Sequence, residues 1–351
     1  DGAMFSVSPV LTIFAASEIL TTFSIFYRRR YQFQAYKKFS GPTSSSTDSP
    51  LKNASPFIRL LPDYPTHEGV AITTLKPLTP HPALLHEEAS ERTLIIADLH
   101  IGWEIGLTAK GIHIPSQTQR IQERLLEIIN EHEPTRLVIV GDVKQAVAQI
   151  SLREWKDVPE FFEAVQESVK DITVTVGNHD GDLEPLTPTS VTILPSSGTA
   201  IGKNPRLGIF HGHAWPSPEV LSSDLLVMGH IHPVVRLGDR IGFWTVRKVW
   251  IRTKCDGGKL ARAYLKYLGV KVKSDPRELF EERFGFPIGD PRLVVMPAFN
   301  DLLGGLSVNR IRKRMMGTLL RSGGVDIDGS ETYLLDGTYV GTVEQLRTLF
   351  G

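Results

Sequence analysis

Apolar positions along this chain gather into short runs that share one way of ending. "TLIIA" covers Thr93–Ala97, "RLVIV" Arg136–Val140, "ITVTV" Ile172–Val176, "RLGIF" Arg206–Phe210 and "LLVM" Leu225–Met228. Aliphatic residues fall on successive rather than alternate positions, the pattern of strands buried on both faces. Between the first two runs, "QTQRIQERLLEIINEHEP" sets Ile121, Leu125, Ile128 and Ile129 on one helical face. Between the second and third, "KDVPEFFEAVQESVKD" also predicts a helix. Strand–helix–strand alternation implies a mostly parallel α/β sheet, and such sheets carry their sites beyond the carboxyl ends of the strands.

Each run stops in residues able to ligate a metal. The five ends read Asp98-Leu99-His100, Gly141-Asp142, Gly177-Asn178-His179-Asp180, His211-Gly212-His213 and Gly229-His230-Ile231-His232. Six of the eleven histidines fall inside these ends, whereas surface histidines would scatter. In extended backbone, residues i and i+2 face the same side, so His230 and His232 are expected to face one point. Taken singly, each histidine reads as a satisfied core or surface residue; as an ordered set they read as a metal cage. Asp98, His100, Asp142, Asn178, His211, His230 and His232 supply seven nitrogen and oxygen ligands, enough for two ions sharing one carboxylate. Such donors suit manganese, iron, zinc or magnesium, and the lack of thiolates argues against a structural zinc. The count fits a two-metal hydrolytic centre with ions roughly 3.5–4 Å apart, manganese being the expected pair.

Composition narrows the setting. At 351 residues, 41% hydrophobic and 22% charged, the chain has a globular make-up with core enough for one large or two ordinary domains. Basic and acidic residues balance at 39 each, so no global excess announces nucleic acid or membrane, although a local basic face is compatible with neutrality. The single cysteine, Cys255, excludes an intrachain disulfide and fits a reducing, cytoplasmic setting. Residues 1–56 differ from the rest: an apolar stretch from Phe5 to Tyr27 precedes Arg28–Arg30, and "SGPTSSSTDSP" (Ser40–Pro50) reads as a flexible linker. The apolar stretch is long enough to cross a bilayer, but Glu18 in its middle is costly there, so a docked or mobile extension is favoured over a membrane anchor. The folded domain is expected over residues 57–351.

The ordered motifs resemble those of the calcineurin-like metallophosphoesterases: D-x-H, G-D, G-N-H-D, a glycine-flanked histidine, then G-H-x-H. "DLHIGWE", "GDVK", "GNHDG", "GHIHP", "MPAFNDLLGG" and "LLDGT" are similar to the SbcD-related phosphoesterases of archaea, which have bacterial relatives beside Lhr-type helicases. The likeness covers roughly Ala71 to Gly351. It implies a four-layer α/β sandwich, two packed mixed β-sheets flanked by helices, with the C-terminal part completing the second sheet. It further implies that Asp98, His100 and His232 hold one ion, Asn178, His211 and His230 the other, and that Asp142 bridges them. His179, oriented by Asp180, would then act catalytically on the scissile phosphate or leaving oxygen.

One position departs from that pattern. SbcD-type nucleases usually carry a histidine three residues after the bridging aspartate, and here the place is Gln145, which can hydrogen-bond a phosphate but cannot donate a proton as an acid. Gln145 and His213 are the candidate substrate contacts. Nine lysines and arginines lie between Arg247 and Lys273 against Asp256 alone, interleaved with Trp250, Tyr264 and Tyr267, and "NRIRKR" adds Arg310, Arg312, Lys313 and Arg314. Such interleaving suits a nucleic-acid strand, although Trp250 and Tyr264 read equally as core. "FYRRRYQFQAYKKF" (Phe26–Phe39) has the same composition and reads equally as a membrane-interface segment. The expected function is a phosphodiesterase acting on nucleic acid, nuclease-like and related to DNA repair, with a helicase as partner; the oligomeric state is open. The alternatives are a phosphoesterase for a small nucleotide or lipid-linked diphosphate, and a non-catalytic scaffold. The scaffold requires eroded ligands, and all seven are present.

Overall fold

The computed structural model describes residues 74–108, 110–203, 205–239, 241–310 and 317–350. The apolar stretch at Phe5–Tyr27, the Ser40–Pro50 linker, the basic segment at Phe26–Phe39 and Arg312–Arg314 lie outside the described residues. Among the described residues, no helix is long and apolar enough to cross a membrane.

Two sheets form. The first runs β1 (Thr74–Pro77), β2 (Ala83–Glu88), β3 (Glu91–Ile96), β4 (Arg136–Ile139), β5 (Asp171–Thr175), β6 (Thr192–Leu194) in spatial order. Its β1–β2–β3 part is antiparallel and its β3–β6 part parallel. The second contains β7 (Thr199–Ile201), β8 (Leu207–Phe210), β9 (Leu225–Met228), β10 (Pro233–Gly238), β11 (Trp244–Lys254), β12 (Arg292–Val295) and β13 (Leu306–Ser307), ordered β13-β10-β11-β12-β9-β8-β7. A hairpin of β14 (Glu331–Leu334) and β15 (Tyr339–Thr342) attaches to β11. The mostly parallel sheet expected from strand–helix alternation is therefore confined to β3–β6, to β8, β9 and β12, and to the short β10–β13 pair; the other pairs are antiparallel. Alternation speaks only where helices separate strands, and β10 and β11 follow one another as a hairpin.

The doubly apolar runs explain the layering. Leu94 and Ile96 face a helix-side core with Leu137, Ile139 and Phe161, whereas Ile95 and Ala97 face an inter-sheet core with Val138, Val227 and Val294. Helices α1 (Thr118–His132) and α2 (Glu154–Ser168) cover the outer face of the first sheet, with Ile121, Leu125 and Ile128 of α1 and Phe161, Phe162 and Val165 of α2 buried against it. Helices α3 (Gly257–Tyr267), α4 (Pro276–Phe284) and α5 (Val343–Phe350) cover the second through Leu260, Tyr264, Phe280 and Leu346. Helix, sheet, sheet and helix stack in that order, the four-layer α/β sandwich expected from the sequence.

Neighbouring residues thus anchor different layers, and both are fully buried in the case of Leu94 and Ile95. Leu94→Ala and Ile95→Ala should each lose about 2–5 kcal/mol of unfolding free energy in urea titrations. A loss below about 0.5 kcal/mol for either, the value of a solvent-facing position, would contradict the four-layer arrangement.

Candidate metal centre

The carboxyl ends of β3, β4, β5, β8 and β9 meet on one rim, and the chain turns sharply at each. Asp98 (φ 59°), His100 (φ 45°), Asp142 (φ 51°), His230 (φ 72°) and His232 (φ 44°) all adopt the left-handed conformation. Such residues cost on the order of 1 kcal/mol or more each and persist where surrounding structure over-determines them. Aspartate and histidine tolerate this region better than most. The turns send alternate side chains to the site and to the core: Leu99 and Ile231 are buried while their neighbours on both sides face the rim. Gly141, at φ 71°, leaves room for the His211 ring. A side chain at Gly177 would collide with the Asp142 carboxylate.

Two donor groups result, each with ligand atoms within 4.8 Å of one another: Asp98, His100, Asp142 and His232 in the first, Asp142, His211 and His230 in the second. Asp142 belongs to both. Its Oδ2 lies 3.4 Å from His100 Nε2 and 3.3 Å from His211 Nε2, and its Oδ1 accepts the His179 backbone N–H at 2.8 Å. His232 Nε2 lies 3.2 Å from Asp98 Oδ1 and 3.3 Å from His100 Nε2. His230 and His232 do not share one point as extended backbone would require; the left-handed turns divide them between the two groups. Asn178 is exposed at the β5 tip beside His179.

The neighbours of these rings decide which nitrogen faces the cage. His211 Nδ1 donates to the Val140 carbonyl at 2.8 Å, so its Nε2 carries the lone pair, and that buried nitrogen has no hydrogen-bond partner. An orphaned imidazole nitrogen beside a buried carboxylate is what a missing cation leaves behind. His100 Nδ1 donates to Gln145 Oε1 at 2.9 Å, freeing Nε2 in the same way. The donor set therefore fits divalent ions. His213 lies 5.4 Å from the His211 ring and 6.1 Å from that of His230, with its own Nδ1 buried and unpartnered.

Two expectations change. The Gln145 amide oxygen is engaged with His100, so this side chain orients a candidate ligand in addition to the substrate contact expected of it. Asp180 does not orient His179. Its Oδ1 accepts the N–H groups of Val143 (2.8 Å) and Lys144 (3.4 Å), and its Oδ2 accepts that of Gly177 (2.9 Å). The ring of His179 is held instead by Nδ1 donating to the Gln145 carbonyl at 2.5 Å, and it packs edge-on against His100 with centroids 4.7 Å apart. Three bracing residues were given no role by the sequence, although two of them lie inside quoted motifs, Lys144 in "GDVK" and Asn300 in "MPAFNDLLGG". Lys144 is buried and donates to the His179 carbonyl at 2.6 Å and to that of Ala146. Glu154 accepts from the N–H groups of Gln145, Ala146 and Ser151. Asn300, in the "MPAFND" segment, donates to the Leu99 carbonyl at 2.9 Å. For Lys144 and Asn300 the available signal was a polar residue inside a largely apolar or glycine-containing motif; Glu154, within "SLREWKD", gave none.

Without cations, protons balance the charge. Burial opposes ionisation of Asp142, but the adjacent His100 and His211 imidazoles outweigh it and hold the carboxyl far below its ordinary value. Burial likewise opposes ionisation of Asp98, and His232 and His211 override it. Burial alone would lower His211, yet Asp142 and Asp98 raise it to about 9. His230 is lowered to about 4 by burial and by the neighbouring His211 charge. Burial and the Asp142 charge raise Asp180.

The basic run from Arg247 to Lys273 does not form one patch. Trp250 and Tyr264 are core, Lys248 donates to the Ala298 and Asn300 carbonyls at 2.8 and 2.6 Å, and Arg252 is tied to Glu331 at 2.5 Å. Tyr267 and the remaining cations line solvent-facing parts of β11 and α3 and the segment that follows.

Residues 91–244 match the family model described as calcineurin-like phosphoesterase. Among solved structures, the Pseudomonas putida nuclease MPE is similar at 18% identity and a TM-score of 0.39, over 75% of this chain and 98% of that one. The phosphoesterase YfcE from E. coli is similar at 22% identity and a TM-score of 0.28, over 42% and 73% of the two chains. Vps29 from Entamoeba histolytica is similar at 16% identity and a TM-score of 0.22, over 44% and 71%. No curated protein sequence matches the chain significantly.

Gln145→Ala leaves His100 Nδ1 without its acceptor and should weaken metal affinity about 10–100-fold in calorimetric titration, with the fold kept. An unchanged affinity would remove Gln145 from the centre. Metal uptake must also expel the proton held by His211. Because that pKa is raised from 6.5 to about 9, the protonated metal-free form prevails below this value, and apparent affinity should climb as pH rises toward about 9. Titrations in buffers of different ionisation enthalpy should detect proton release; a pH-independent affinity over this range would contradict the assignment.

Proposed function

We propose that this chain, whose residues 91–244 form a calcineurin-like phosphoesterase domain, cleaves phosphodiester bonds of nucleic acid at a two-metal centre, with manganese as the preferred ion. The observation that carries the reading is the pair of donor groups joined through Asp142. Asp98, His100 and His232 would hold one ion, His211, His230 and the exposed Asn178 the other, with Asp142 common to both. When bound, divalent ions acidify water and neutralise charge on the phosphoryl group.

The chain's own residues then supply orientation and proton control. His100 and His211 present lone pairs from Nε2 because their Nδ1 protons are committed to Gln145 and Val140. His179 keeps its Nδ1 proton on the Gln145 carbonyl, so its Nε2 is the atom that can accept or deliver a proton at the phosphate or leaving oxygen. With Gln145 engaged at His100, His179 is the residue in reach for that task. The SbcD-like motifs extend the reading to DNA repair, where a helicase that exposes single strands is the fitting partner.

Asp142→Asn and His230→Ala should each abolish manganese-dependent hydrolysis, assayed on single-stranded, duplex and flapped DNA with a nitrophenyl phosphodiester as control and metal content measured in parallel. Full activity in folded variants rejects the two-metal reading. Turnover of a small nucleotide diphosphate that is insensitive to salt, with no cleavage of DNA, would favour the small-molecule alternative.

A further inference from the structure

Strand β10 leaves the candidate metal centre directly, Pro233 following His232, and pairs with the first half of β11 to form a ribbon whose outermost pair is Gly238 and Trp244. Six residue steps separate His232 from Gly238, a span of about 20 Å along the strand. The outer part of the ribbon is unusual for a sheet in a water-facing position. Ile241 and Phe243 are 76% and 71% exposed, and Trp244 through Arg247 are all exposed.

Trp244 lies across Gly238, where its ring occupies the space a side chain would need. Two guanidinium groups rest on it, Arg236 at 4.5 Å and Arg310 at 5.6 Å from the ring centroid. A buried side chain sets this arrangement. Asn309 accepts the Arg236 backbone N–H at 3.1 Å and donates to the Arg236 carbonyl at 2.8 Å, which brings the next residue, Arg310, alongside. Among the described residues neither guanidinium has a carboxylate partner; Arg310 reaches only the Phe350 carbonyl, at 3.3 Å. The acid that follows Gly238, Asp239, accepts the N–H groups of Ile241 and Phe243 at 2.9 Å each. Like charges held together on an exposed surface are relieved by an anion.

We propose that the β10–β11 ribbon is a platform for single-stranded nucleic acid, with Arg236 and Arg310 on backbone phosphates and Phe243 stacking on a base, a proposal that rests on the nucleic-acid reading above. A stacking ring beside paired cations is how sequence-tolerant strand binding is built, because every base has a π-face and every nucleotide a phosphate. Chemistry and holding are then separate: the rim cleaves, and the ribbon retains the strand about 13–20 Å away.

Fluorescence anisotropy of a labelled oligothymidine, read across a salt series on the full chain, tests this. Arg236→Ala with Arg310→Ala should flatten the slope of log affinity against log salt by roughly 1.4, two single-strand phosphate contacts. Phe243→Ala should weaken binding roughly tenfold. Both variants should raise KM for the oligonucleotide while leaving hydrolysis of a nitrophenyl phosphodiester and the melting temperature unchanged. Wild-type slope and affinity in both variants overturn the ribbon proposal, as does failure of the unaltered chain to bind the oligonucleotide at all. If the unaltered chain binds but cleaves no nucleic acid, while the variants lose binding as described, the ribbon stands and the substrate reading fails.

Discussion

The site depends on one buried carboxylate. Asp142 is 2% exposed, faces two imidazoles at 3.3 and 3.4 Å, and receives a backbone N–H from the next strand tip. A lone carboxylate at that depth would cost several kcal/mol to keep charged. Asp98 and Asp180 are buried within the same rim, so positive charge has to be present in some form. In the metal-free chain the raised pKa of His211 and His232 supplies it as protons. The same geometry that makes protons bind makes divalent cations bind better, since an ion offers charge without needing the imidazole nitrogens to be donors.

The loop after Asp142 converts that electrostatic demand into orientation. Glu154, at the start of α2, gathers the N–H groups of Gln145, Ala146 and Ser151. Once fixed, Gln145 points its amide oxygen at His100 and its carbonyl at His179. One residue thereby sets the tautomers of His100 and His179. The carbonyl that holds His179 is backbone and open to any residue at this position, whereas the amide oxygen that holds His100 belongs to the glutamine side chain.

The convergence of six of the seven candidate ligands was legible because it is encoded locally: each follows an apolar run within a few residues, and strand ends converge on one rim whatever the loops do. The four layers were foreshadowed by the doubly apolar runs. Less could be read where partners are distant in sequence. Asn300 reaches Leu99 across 201 residues, and no spacing rule connects "MPAFND" to "DLH". The role of Asp180 was misread for a related reason: adjacency to His179 suggested a hydrogen bond, whereas the turn sends the carboxylate back under Val143 and Gly177. Basic residues misled most. Charge in a row predicts a patch only if the row is one surface, and here it passes through a core strand, so Trp250 and Trp244 on the same strand have opposite fates.

That strand also ties the outer ribbon to the metal rim. Lys248 sits opposite Val234 at the ribbon's base and donates to the Ala298 and Asn300 carbonyls, with burial lowering its pKa to about 8 against the pull of Asp301. The same segment crosses to the other sheet, where Phe299 N–H donates to the Ala97 carbonyl at 2.8 Å and Asn300 to that of Leu99. Asp98 lies between those two carbonyls. A load applied at the ribbon therefore reaches Asp98 through Lys248 and the Phe299–Asn300 clamp, and each link in that path is a hydrogen bond to a buried backbone carbonyl. Such links resist small displacements because leaving a buried carbonyl unpaired is itself costly. The rim's geometry is thus braced against displacement of the exposed end of the same strand.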